Sequence, residues 1–316
     1  MPATRAYNSF KLDKTGCKIT KTSSTLRLKD EIDYYREIQK TNLNHFFPRI
    51  FNSNTSDTPY SVDLEYYDYA DLGLQMIDCE LIYSEEYWEI IADKLVSILQ
   101  DFQQLDVPVK NLDSKSIKAK MYVEKTLHYQ KELVSNFDFF KDLNEKSNLI
   151  INKEKVLNFD LLWQKIEPLI DELLINNKPL SVIHGDMCFS NILCSTGNSI
   201  IKFIDPRGSF GARGIYGDPL YDVAKLTHSF DGCYEYIIND KFSLKKIAQD
   251  SYDFSFENKN HELIKKVFLK NDQFNQPAVQ LIQGLIFIGM CSRHYDSLDR
   301  QIVMYLTGLR ILNNLL

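Results

Sequence analysis

Three short segments of the sequence carry polar side chains whose types and spacing could support catalysis. They are Ser181–Asp186 (SVIHGD) with Asn191 five residues further on, Ile201–Asp205 (IKFID), and Gly217–Leu226 (GDPLYDVAKL). Carboxylate and amide oxygens suit Mg²⁺, which usually takes one or two carboxylates and completes its octahedron with water and phosphate oxygens. The first two segments could therefore hold a divalent cation beside a reacting hydroxyl group.

The chemistry of each side chain suggests its task in such a site. Asn191 and Asp205 could supply metal ligands from two adjacent loops at strand ends, while Asp186 could accept the proton of an attacking hydroxyl or orient it. Each feature also has an ordinary structural explanation, since His-Gly-Asp often forms a turn and an aspartate after a strand often caps a loop. The three features together, in this order and between apolar β-like runs, favour a catalytic site.

The order HGDxxxxN, then ID, then GDPxxDxAK resembles the aminoglycoside phosphotransferase / choline kinase family, whose fold is that of protein kinases. The likeness is densest from Ser181 to about His228, and the order of elements fits the whole chain. The resemblance implies that Asp186 is the catalytic base, that Asn191 and Asp205 bind Mg²⁺, and that ATP is the phosphate donor.

The resemblance also implies an N-terminal lobe in which a strand lysine meets the ATP phosphates and a helical glutamate holds that lysine. Lys21 lies on the second predicted strand. Glu31 falls within the apolar stripe of the next helix, beside Tyr34 and Tyr35, where a carboxylate needs a partner. We therefore predict that Lys21 pairs with Glu31. The alternative is that Lys18 and Lys21 are both solvated strand lysines.

The stretch Val62–Tyr67 matches the strand that leads to the hinge between the two lobes, and the resemblance implies that backbone groups around Glu65 and Tyr67 bind adenine. Two features depart from the family pattern. The chain has no GxGxxG loop, and Gly16 is the sole glycine of its N-terminal segment. The Asp-Phe-Gly of protein kinases is replaced by Asp-Pro-Arg-Gly at residues 205–208, so we do not expect the protein-kinase switch here.

Two arginines flank the glycine-rich run that follows the second segment. Arg207 adjoins the predicted metal ligand, so we predict that it meets a phosphate of the nucleotide or an acidic substrate. For Arg213 we favour a surface position, solvated or paired with a carboxylate. Asp218, which precedes a proline, is expected to be a helix N-cap that braces the catalytic loop. His184 is expected to fix that loop by hydrogen bonds.

The pattern of predicted elements gives an α+β chain with a small β-rich N-terminal part and a larger, mainly helical C-terminal part. The resemblance implies that these parts are the two lobes of a protein-kinase-like fold. Residues 1–69 form the predicted nucleotide-binding lobe. Residues 70–316 form the predicted catalytic and acceptor-binding lobe. The predicted strands are Ala6–Leu12, Cys17–Thr22, Pro48–Phe51, Tyr60–Tyr66, Leu180–Ile183 and Ser199–Ile204. The predicted helices include Leu28–Lys40, Ile117–Phe140, Phe159–Leu174 with a kink or break at Pro168, and the whole chain from Leu220 onward.

The composition is that of a globular protein, since the 316 residues are 44% hydrophobic and 25% charged, which excludes disordered, collagen-like and coiled-coil chains. A formal charge of −6 without Lys/Arg blocks argues against nucleic-acid or anionic-membrane binding. The six cysteines show no CxxC or zinc spacing and the first residues resemble no signal segment, so a cytoplasmic protein with reduced thiols is expected. Ala278–Cys291 is too short to cross a membrane and is expected to be a buried helix.

We therefore expect an ATP- and Mg²⁺-dependent kinase that phosphorylates a hydroxyl of a sugar, amino alcohol or related metabolite. A likeness of Arg5–Pro48 to phosphotransferase segments fused to sugar nucleotidyltransferases suggests surface polysaccharide synthesis and a partner or fused nucleotidyltransferase domain. The clusters His228–Gly232 and Arg293–Asp296 are either parts of the acceptor pocket or helix termini. The alternative function is a nucleotide-binding pseudokinase that regulates a partner protein. The lack of a GxGxxG loop to cover the phosphates favours the pseudokinase, and the retained residues Asp186, Asn191 and Asp205 oppose it.

Overall fold

The computed structural model describes residues 8–78, 80, 82–105, 112–176, 179–195, 197, 199–256 and 260–316. Its internal contacts divide the chain into two compact units. The first unit is Met1–Lys110 with Leu180–Asp222, and the second is Asn111–Pro179 with Val223–Leu316. Every predicted site residue belongs to the first unit. The predicted boundary between residues 1–69 and 70–316 is based on expected function, whereas the two units are defined by internal contacts. The two-lobe division therefore stays a prediction.

The described residues form strands and helices in the following order along the chain. The strands are β1 (Asn8–Asp13), β2 (Lys18–Ser23), β3 (Ile50–Asn54), β4 (Tyr60–Glu65), β5 (Ala70–Asp71), β6 (Asn148–Ile151), β7 (Glu154–Leu157), β8 (Ser181–Val182), β9 (Ile192–Cys194), β10 (Ile201–Phe203), β11 (Tyr216–Gly217), β12 (Phe242–Ala248) and β13 (Ser251–Phe256). The α-helices are α1 (Leu26–Ile38), α2 (Leu72–Ile77), α3 (Glu85–Gln104), α4 (Ser114–Ala119), α5 (Lys125–Asn136), α6 (Asp138–Asn144), α7 (Phe159–Ile170), α8 (Pro219–Phe230), α9 (Tyr234–Ile238), α10 (His261–Phe268), α11 (Pro277–Met290) and α12 (Leu298–Asn313).

The N-terminal sheet of the first unit has four antiparallel strands in the order β1-β2-β4-β3. These are the strands that the sequence predicts, although Ala6 and Tyr7 of the predicted first strand lie outside the described residues. Strand β2 runs between β1 and β4, so Lys21 has Phe10 opposite it on one side and Val62 on the other. Lys21 therefore lies on an interior strand of the sheet.

Helix α1 lies between β2 and β3 along the chain and contacts β3 and β4. Its buried residues recur every three or four positions, which is the spacing that places side chains on one face of a helix. They are Leu28, Glu31, Ile32, Tyr34, Tyr35 and Ile38. Glu31 is the single charged residue of this face, so α1 presents a carboxylate to the interior of the unit.

Two smaller sheets of the first unit arrange the segments that carry the predicted site. Strands β10, β9 and β5 form one antiparallel sheet, and β8 pairs with β11. Asn191 directly precedes β9, and Asp205 follows the end of β10. Because Phe203 pairs with Ile192 across these antiparallel strands, Asn191 and Asp205 come to the same end of the sheet.

The second unit contains a four-stranded sheet in the order β12-β13-β6-β7, in which β13 and β6 are parallel. The prediction that the chain is helical from Leu220 to its end is therefore wrong over β12 and β13. The sequence there alternates, with Phe242 and Leu244 in one strand and Tyr252 and Phe254 in the other. This two-residue period is typical of strands and overrides the helical character of the surrounding sequence.

The predicted helices of the second unit are present with changes at their ends. Helix α7 continues through Pro168 and passes into a π-helical turn at Asp171–Ile175, so the proline does not divide it. The stretch predicted as one helix over Ile117–Phe140 consists of α4, a π-helical turn, α5 and the start of α6. Helix α11 is largely buried, as predicted. Among the described residues, no helix combines the length and apolar character needed to cross a membrane.

Helices α11 and α12 approach each other closely at Gly284. A Cβ atom added to Gly284 would lie 2.5 Å from Cγ of Leu312, so we expect Gly284→Ala to lower the free energy of unfolding by about 1–3 kcal/mol. Gly289→Ala in the same helix is the control, because its Cβ would meet only Cδ2 of Tyr129 at 3.6 Å. Denaturant unfolding of both variants measures the difference, and equal stabilities would contradict the prediction.

Candidate active site

The centre of the site is a group of three charged side chains, two from neighbouring elements near the N-terminus and one from a distant part of the chain. Nζ of Lys21 lies 2.7 Å from Oε2 of Glu31 and 2.9 Å from Oδ1 of Asp205. The side chains of Lys21 and Glu31 are 6% and 8% exposed, whereas that of Asp205 is 44% exposed. The ion pair predicted between Lys21 and Glu31 is therefore present, and the structure adds Asp205 to it. We call these three residues the charged triad.

The local sequence explains why the triad forms. Lys21 projects from the interior strand β2, with its Nζ 5.8 Å from the centre of the Phe10 ring. Glu31 lies on the buried face of α1, where an ionised carboxylate costs free energy unless it is paired. Lys21 supplies that partner for Oε2. The other oxygen of Glu31, Oε1, is buried and accepts no hydrogen bond from any described residue.

Burial and pairing shift the pKa values of the triad. Burial raises the pKa of Glu31 to about 7, although the Lys21 ammonium opposes this rise. Burial alone would lower the pKa of Lys21, but the carboxylates of Asp205 and Glu31 outweigh it and hold the Lys21 pKa above its usual value. Lys21 therefore stays positively charged at neutral pH, and Glu31 gains or loses its proton near neutrality.

The loop that carries Asp186 is fixed by the backbone of Asp186 itself. The Asp186 N–H donates to Nδ1 of His184 at 3.2 Å, and the Asp186 carbonyl accepts from the Cys188 N–H at 2.9 Å and from Nδ2 of Asn191 at 2.8 Å. Since Nδ1 of His184 is an acceptor, its Nε2 carries the proton and donates to the Ile204 carbonyl at 3.0 Å. His184 thus makes the hydrogen bonds that the sequence analysis expects of it.

Asp222 of helix α8 holds the same loop. Its Oδ2 accepts from the His184 N–H at 2.6 Å, its Oδ1 accepts from the Gly185 N–H at 2.8 Å, and the residue is buried. Asp218 was predicted to be an N-cap that braces this loop. Its Oδ1 accepts from the Leu220 N–H at the start of α8, as an N-cap does, and its bracing role stays a prediction. Asp222 could have been identified as a candidate from the GDPxxDxAK motif, because this motif contains both aspartates.

We expect Asp222→Ala to destabilise the protein strongly. The change leaves the N–H groups of His184 and Gly185 buried without this acceptor, and each such loss costs about 1–3 kcal/mol. Denaturant unfolding should therefore show a decrease of about 2–6 kcal/mol in the free energy of unfolding. The control is Asp33→Ala, which removes an exposed carboxylate and should change stability by less than about 0.5 kcal/mol. A value for Asp222→Ala close to that of the control would contradict this role.

The backbone at Asp205 is held in a conformation that is uncommon for a residue with a side chain. Its φ is 55°, in the left-handed region, where strain is usually imposed by surrounding contacts. The Asp205 N–H donates to the hydroxyl of Tyr35 at 3.2 Å, and its carboxylate meets Lys21. Tyr35, which the sequence analysis placed only in the apolar stripe of α1, therefore helps to orient the predicted metal ligand.

The oxygen atoms of Asn191 and Asp205 fit Mg²⁺ chemically. Asn191 uses its Nδ2 on the Asp186 carbonyl, and among the described residues no donor meets Oδ1 of Asn191 or Oδ2 of Asp205. These are hard oxygen donors of the kind that Mg²⁺ prefers. The described ranges contain no cluster of three or more His, Cys, Asp or Glu residues placed to bind a metal. A cation bound here would therefore take its other ligands from water and phosphate.

Arg207 lies against the loop that carries Asp186. Its N–H donates to the His184 carbonyl at 3.0 Å, and its Nη1 lies 3.3 Å from the hydroxyl of Tyr221. Gly185 has a φ of +80°, and a Cβ added there would lie 2.8 Å from Cβ of Arg207. Only glycine therefore suits position 185, because both the backbone conformation and the Arg207 side chain exclude a Cβ.

The predicted hinge residues lie at the end of β4. The Glu65 N–H donates to the Arg49 carbonyl at 2.9 Å, and the Tyr66 N–H donates to the Cys17 carbonyl at 2.8 Å. The Glu65 carboxylate pairs with Arg49 and accepts from the Tyr67 hydroxyl at 2.6 Å. The Tyr67 N–H has no acceptor among the described residues. Adenine binding by this segment stays a prediction, and Tyr67 offers the amide for it.

The remaining candidates are one arginine of the first unit and two polar clusters of the second unit. Nε of Arg213 lies 3.0 Å from Oδ1 of Asp30, which agrees with the carboxylate-paired position expected for this arginine. The clusters His228–Gly232 and Arg293–Asp296 belong to the second unit. Their role as an acceptor pocket stays a prediction.

An ion-paired strand lysine, a loop aspartate and two oxygen donors at strand ends form the arrangement expected of a phosphotransferase. The chain belongs to the phosphotransferase enzyme family (APH), whose family model matches residues 17–236. A sequence comparison with curated proteins finds no match.

Solved structures of aminoglycoside phosphotransferases share the fold of this chain. A thermostable mutant of APH(4)-Ia in its apo form is 12% identical, with 94% of this chain and 87% of that chain covered and a TM-score of 0.54. The streptomycin–ATP–APH(2″)-IIa ternary complex is 14% identical, with 98% and 89% covered and a TM-score of 0.51. The gentamicin–APH(2″)-IIa complex is 16% identical, with 97% and 87% covered and a TM-score of 0.51. The predicted α+β fold class is therefore confirmed.

Proposed function

We propose that this protein is an ATP- and Mg²⁺-dependent kinase that transfers the γ-phosphate to a hydroxyl group of a small molecule, such as a sugar or amino alcohol. The observation that carries the proposal is the charged triad, which lies in the same compact unit as the braced loop of Asp186. Membership of the phosphotransferase family supports it. The ternary complex of APH(2″)-IIa with streptomycin and ATP also supports a nucleotide donor and a small-molecule acceptor.

Each site residue has a task in this reaction. Lys21, held by Glu31, binds the phosphates of the donor. Oδ1 of Asn191 and the Asp205 carboxylate would hold Mg²⁺, which when bound neutralises charge on the phosphate oxygens. Asp186 accepts the proton of the acceptor hydroxyl. The oxygen of that hydroxyl forms the new bond to the γ-phosphorus while the bond to the bridging oxygen of ADP breaks.

We assign nucleotide binding to residues 1–69, with the backbone near Glu65 and Tyr67 contacting adenine, and catalysis with acceptor binding to residues 70–316. The Tyr67 N–H supports the hinge assignment because it has no acceptor among the described residues. A cytoplasmic location, a role in surface polysaccharide synthesis and a nucleotidyltransferase partner belong to the same proposal and rest on the sequence alone.

The raised pKa of Glu31 gives the reaction a specific pH dependence. Below about pH 7 the carboxylate takes up a proton and its charge no longer holds Lys21, so kcat/KM for Mg-ATP should decrease with a midpoint near 7 as the pH falls. Glu31→Gln mimics the protonated form and should show the low value at every pH, without this step. A wild-type profile that is flat between pH 6 and 8, or a step that persists in Glu31→Gln, would contradict the assignment.

The proposed activity is tested with the purified chain, ATP labelled in the γ-phosphate, Mg²⁺ and a panel of small hydroxyl compounds. Transfer of label to a compound, with one ADP formed for each phosphate transferred, is the expected result. Binding of Mg-ATP without transfer to any compound would instead favour a nucleotide-binding regulator. No binding of Mg-ATP would exclude both functions for this chain on its own.

A further inference from the structure

Among the described residues Arg207 has no carboxylate partner, unlike several other arginines of the chain. Arg49, Arg213 and Arg300 each pair with an aspartate or glutamate. Within the part of the chain that the structure describes, Arg207 forms no ion pair, and its Nη1 meets the neutral hydroxyl of Tyr221. A guanidinium stays protonated throughout the physiological pH range. The half-buried Arg207 therefore places a positive charge in the site without an ion-pair partner among the described residues.

The contacts of Arg207 place its charge beside the catalytic loop. Its backbone N–H donates to the His184 carbonyl. A Cβ atom added to Gly185 would lie only 2.8 Å from Cβ and 3.5 Å from Cδ of Arg207. Gly185 directly precedes Asp186, the residue that receives the proton of the acceptor hydroxyl. The nucleotide phosphates, in contrast, are assigned to Lys21, whose neighbours are Glu31 and Asp205. The described contacts of Arg207 are thus with Tyr221 and with the loop that carries Asp186, and not with Lys21.

The geometry of a guanidinium defines the chemical group that it would bind. Its N–H donors form a planar fork that matches the paired oxygens of a carboxylate or a phosphate. The Tyr221 hydroxyl lies beside Nη1 of Arg207, which leaves the other N–H groups of the fork without an acceptor among the described residues. An anion bound at this fork would compensate the charge of Arg207 and would orient the molecule that carries it.

We propose that Arg207 binds an anionic group of the acceptor, so that the natural acceptor is a hydroxylated carboxylate or phosphate ester and not an amino sugar. This inference rests on the proposed function and specifies its substrate class. In the transfer step the acceptor hydroxyl loses its proton to Asp186 and gains the γ-phosphorus, and ADP is released. Arg207 neither gives nor takes a proton and acts by holding the acceptor in place.

The test compares four hexoses that differ in one charged group: D-glucose, D-glucuronate, D-glucose 6-phosphate and D-glucosamine. ADP formation with Mg-ATP is measured for the wild-type chain, Arg207→Gln, Arg207→Lys and the control Arg213→Gln, each checked for folding by thermal unfolding. For the wild type we expect kcat/KM for glucuronate or for the phosphate ester to exceed that for glucose by about 10- to 100-fold. The anion with the higher kcat/KM, glucuronate or glucose 6-phosphate, shows whether the group bound by Arg207 is a carboxylate or a phosphate.

In Arg207→Gln this preference for anions should disappear because the KM for the anionic acceptor rises, while the KM for Mg-ATP keeps its wild-type value. The control Arg213→Gln should keep the wild-type preference. Arg207→Lys keeps the charge without the fork and should retain part of the preference. The inference is overturned if glucose or glucosamine serves as well as the anions, if no anion is phosphorylated by a chain that binds Mg-ATP, or if Arg207→Gln raises only the KM for Mg-ATP. If the wild type binds no Mg-ATP, the proposed function itself fails, and this inference fails with it.

Discussion

Replacing Asp186 by asparagine is expected to lower kcat by about 10²- to 10⁴-fold while Mg-ATP still binds with its wild-type affinity. Asparagine has the shape of aspartate, and the contacts of Asp186 with His184, Cys188 and Asn191 are made by its backbone. The loop should therefore keep its conformation. The asparagine side chain cannot accept the proton of the acceptor hydroxyl, so the chemical step is lost and the binding step is not.

The measurement pairs steady-state ADP formation with a binding titration of Mg-ATP. Asp33→Asn is the matched control, because it makes the same change on the exposed face of α1 and should leave both quantities unaltered. An unchanged kcat for Asp186→Asn would show that this residue is not the base. Loss of nucleotide affinity together with kcat would assign Asp186 to binding instead.

The triad shows which parts of the site the sequence predicts and why. Glu31 occupies a position whose neighbours are apolar, and the free-energy cost of a buried carboxylate requires a cation nearby. Lys21 lies ten residues earlier on a strand and was the predicted partner. Alternation along the strand and the helical period together identify both residues. The addition of Asp205 depends on the end of β10, which no local pattern places near β2.

The supporting contacts could not be predicted from residue types alone. The hydroxyl of Tyr35 accepts from the Asp205 N–H, but in the sequence this tyrosine is one more large residue in an apolar stripe. Asp222 and Asp218 both follow the loop motif, and residue types alone do not show that the Asp222 carboxylate accepts from the N–H groups of His184 and Gly185. Long-range hydrogen bonds of this kind leave no periodic signal in a sequence.

The sheet of the second unit was missed for a different reason. The turn between β6 and β7 has positive φ values at Asn152 and Lys153, a conformation in which Asn-Gly is the usual pair. A lysine at the second position hides this turn from sequence reasoning. The β12–β13 hairpin alternates clearly, but it lies between helices and forms a sheet with the distant strand β6. Its stability therefore comes from tertiary pairing, which local propensity does not report.

The second large effect is expected at Asp205, where alanine should remove the stabilisation that Mg-ATP gives to the folded protein. A ligand present at 100 times its Kd, and bound only by the folded state, raises the free energy of unfolding by about 2.7 kcal/mol. The wild-type chain should show this increase. Asp205→Ala loses the carboxylate that would bind the metal and also releases Lys21 from one of its two acidic partners. Mg-ATP should therefore leave the free energy of unfolding of this variant almost unchanged.

Asp240→Ala separates this loss of binding from a general loss of stability. Asp240, like Asp205, has a positive φ (56° against 55°) and pairs with a cation, Arg300, but it belongs to the second unit. Alanine in this left-handed conformation costs about 1–2 kcal/mol at either position, so both variants should unfold more easily without ligand. Only Asp205→Ala should fail to respond to Mg-ATP in thermal unfolding. An equal response of the two variants would mean that Asp205 holds no metal, and the strain at its backbone would then serve only to place Lys21.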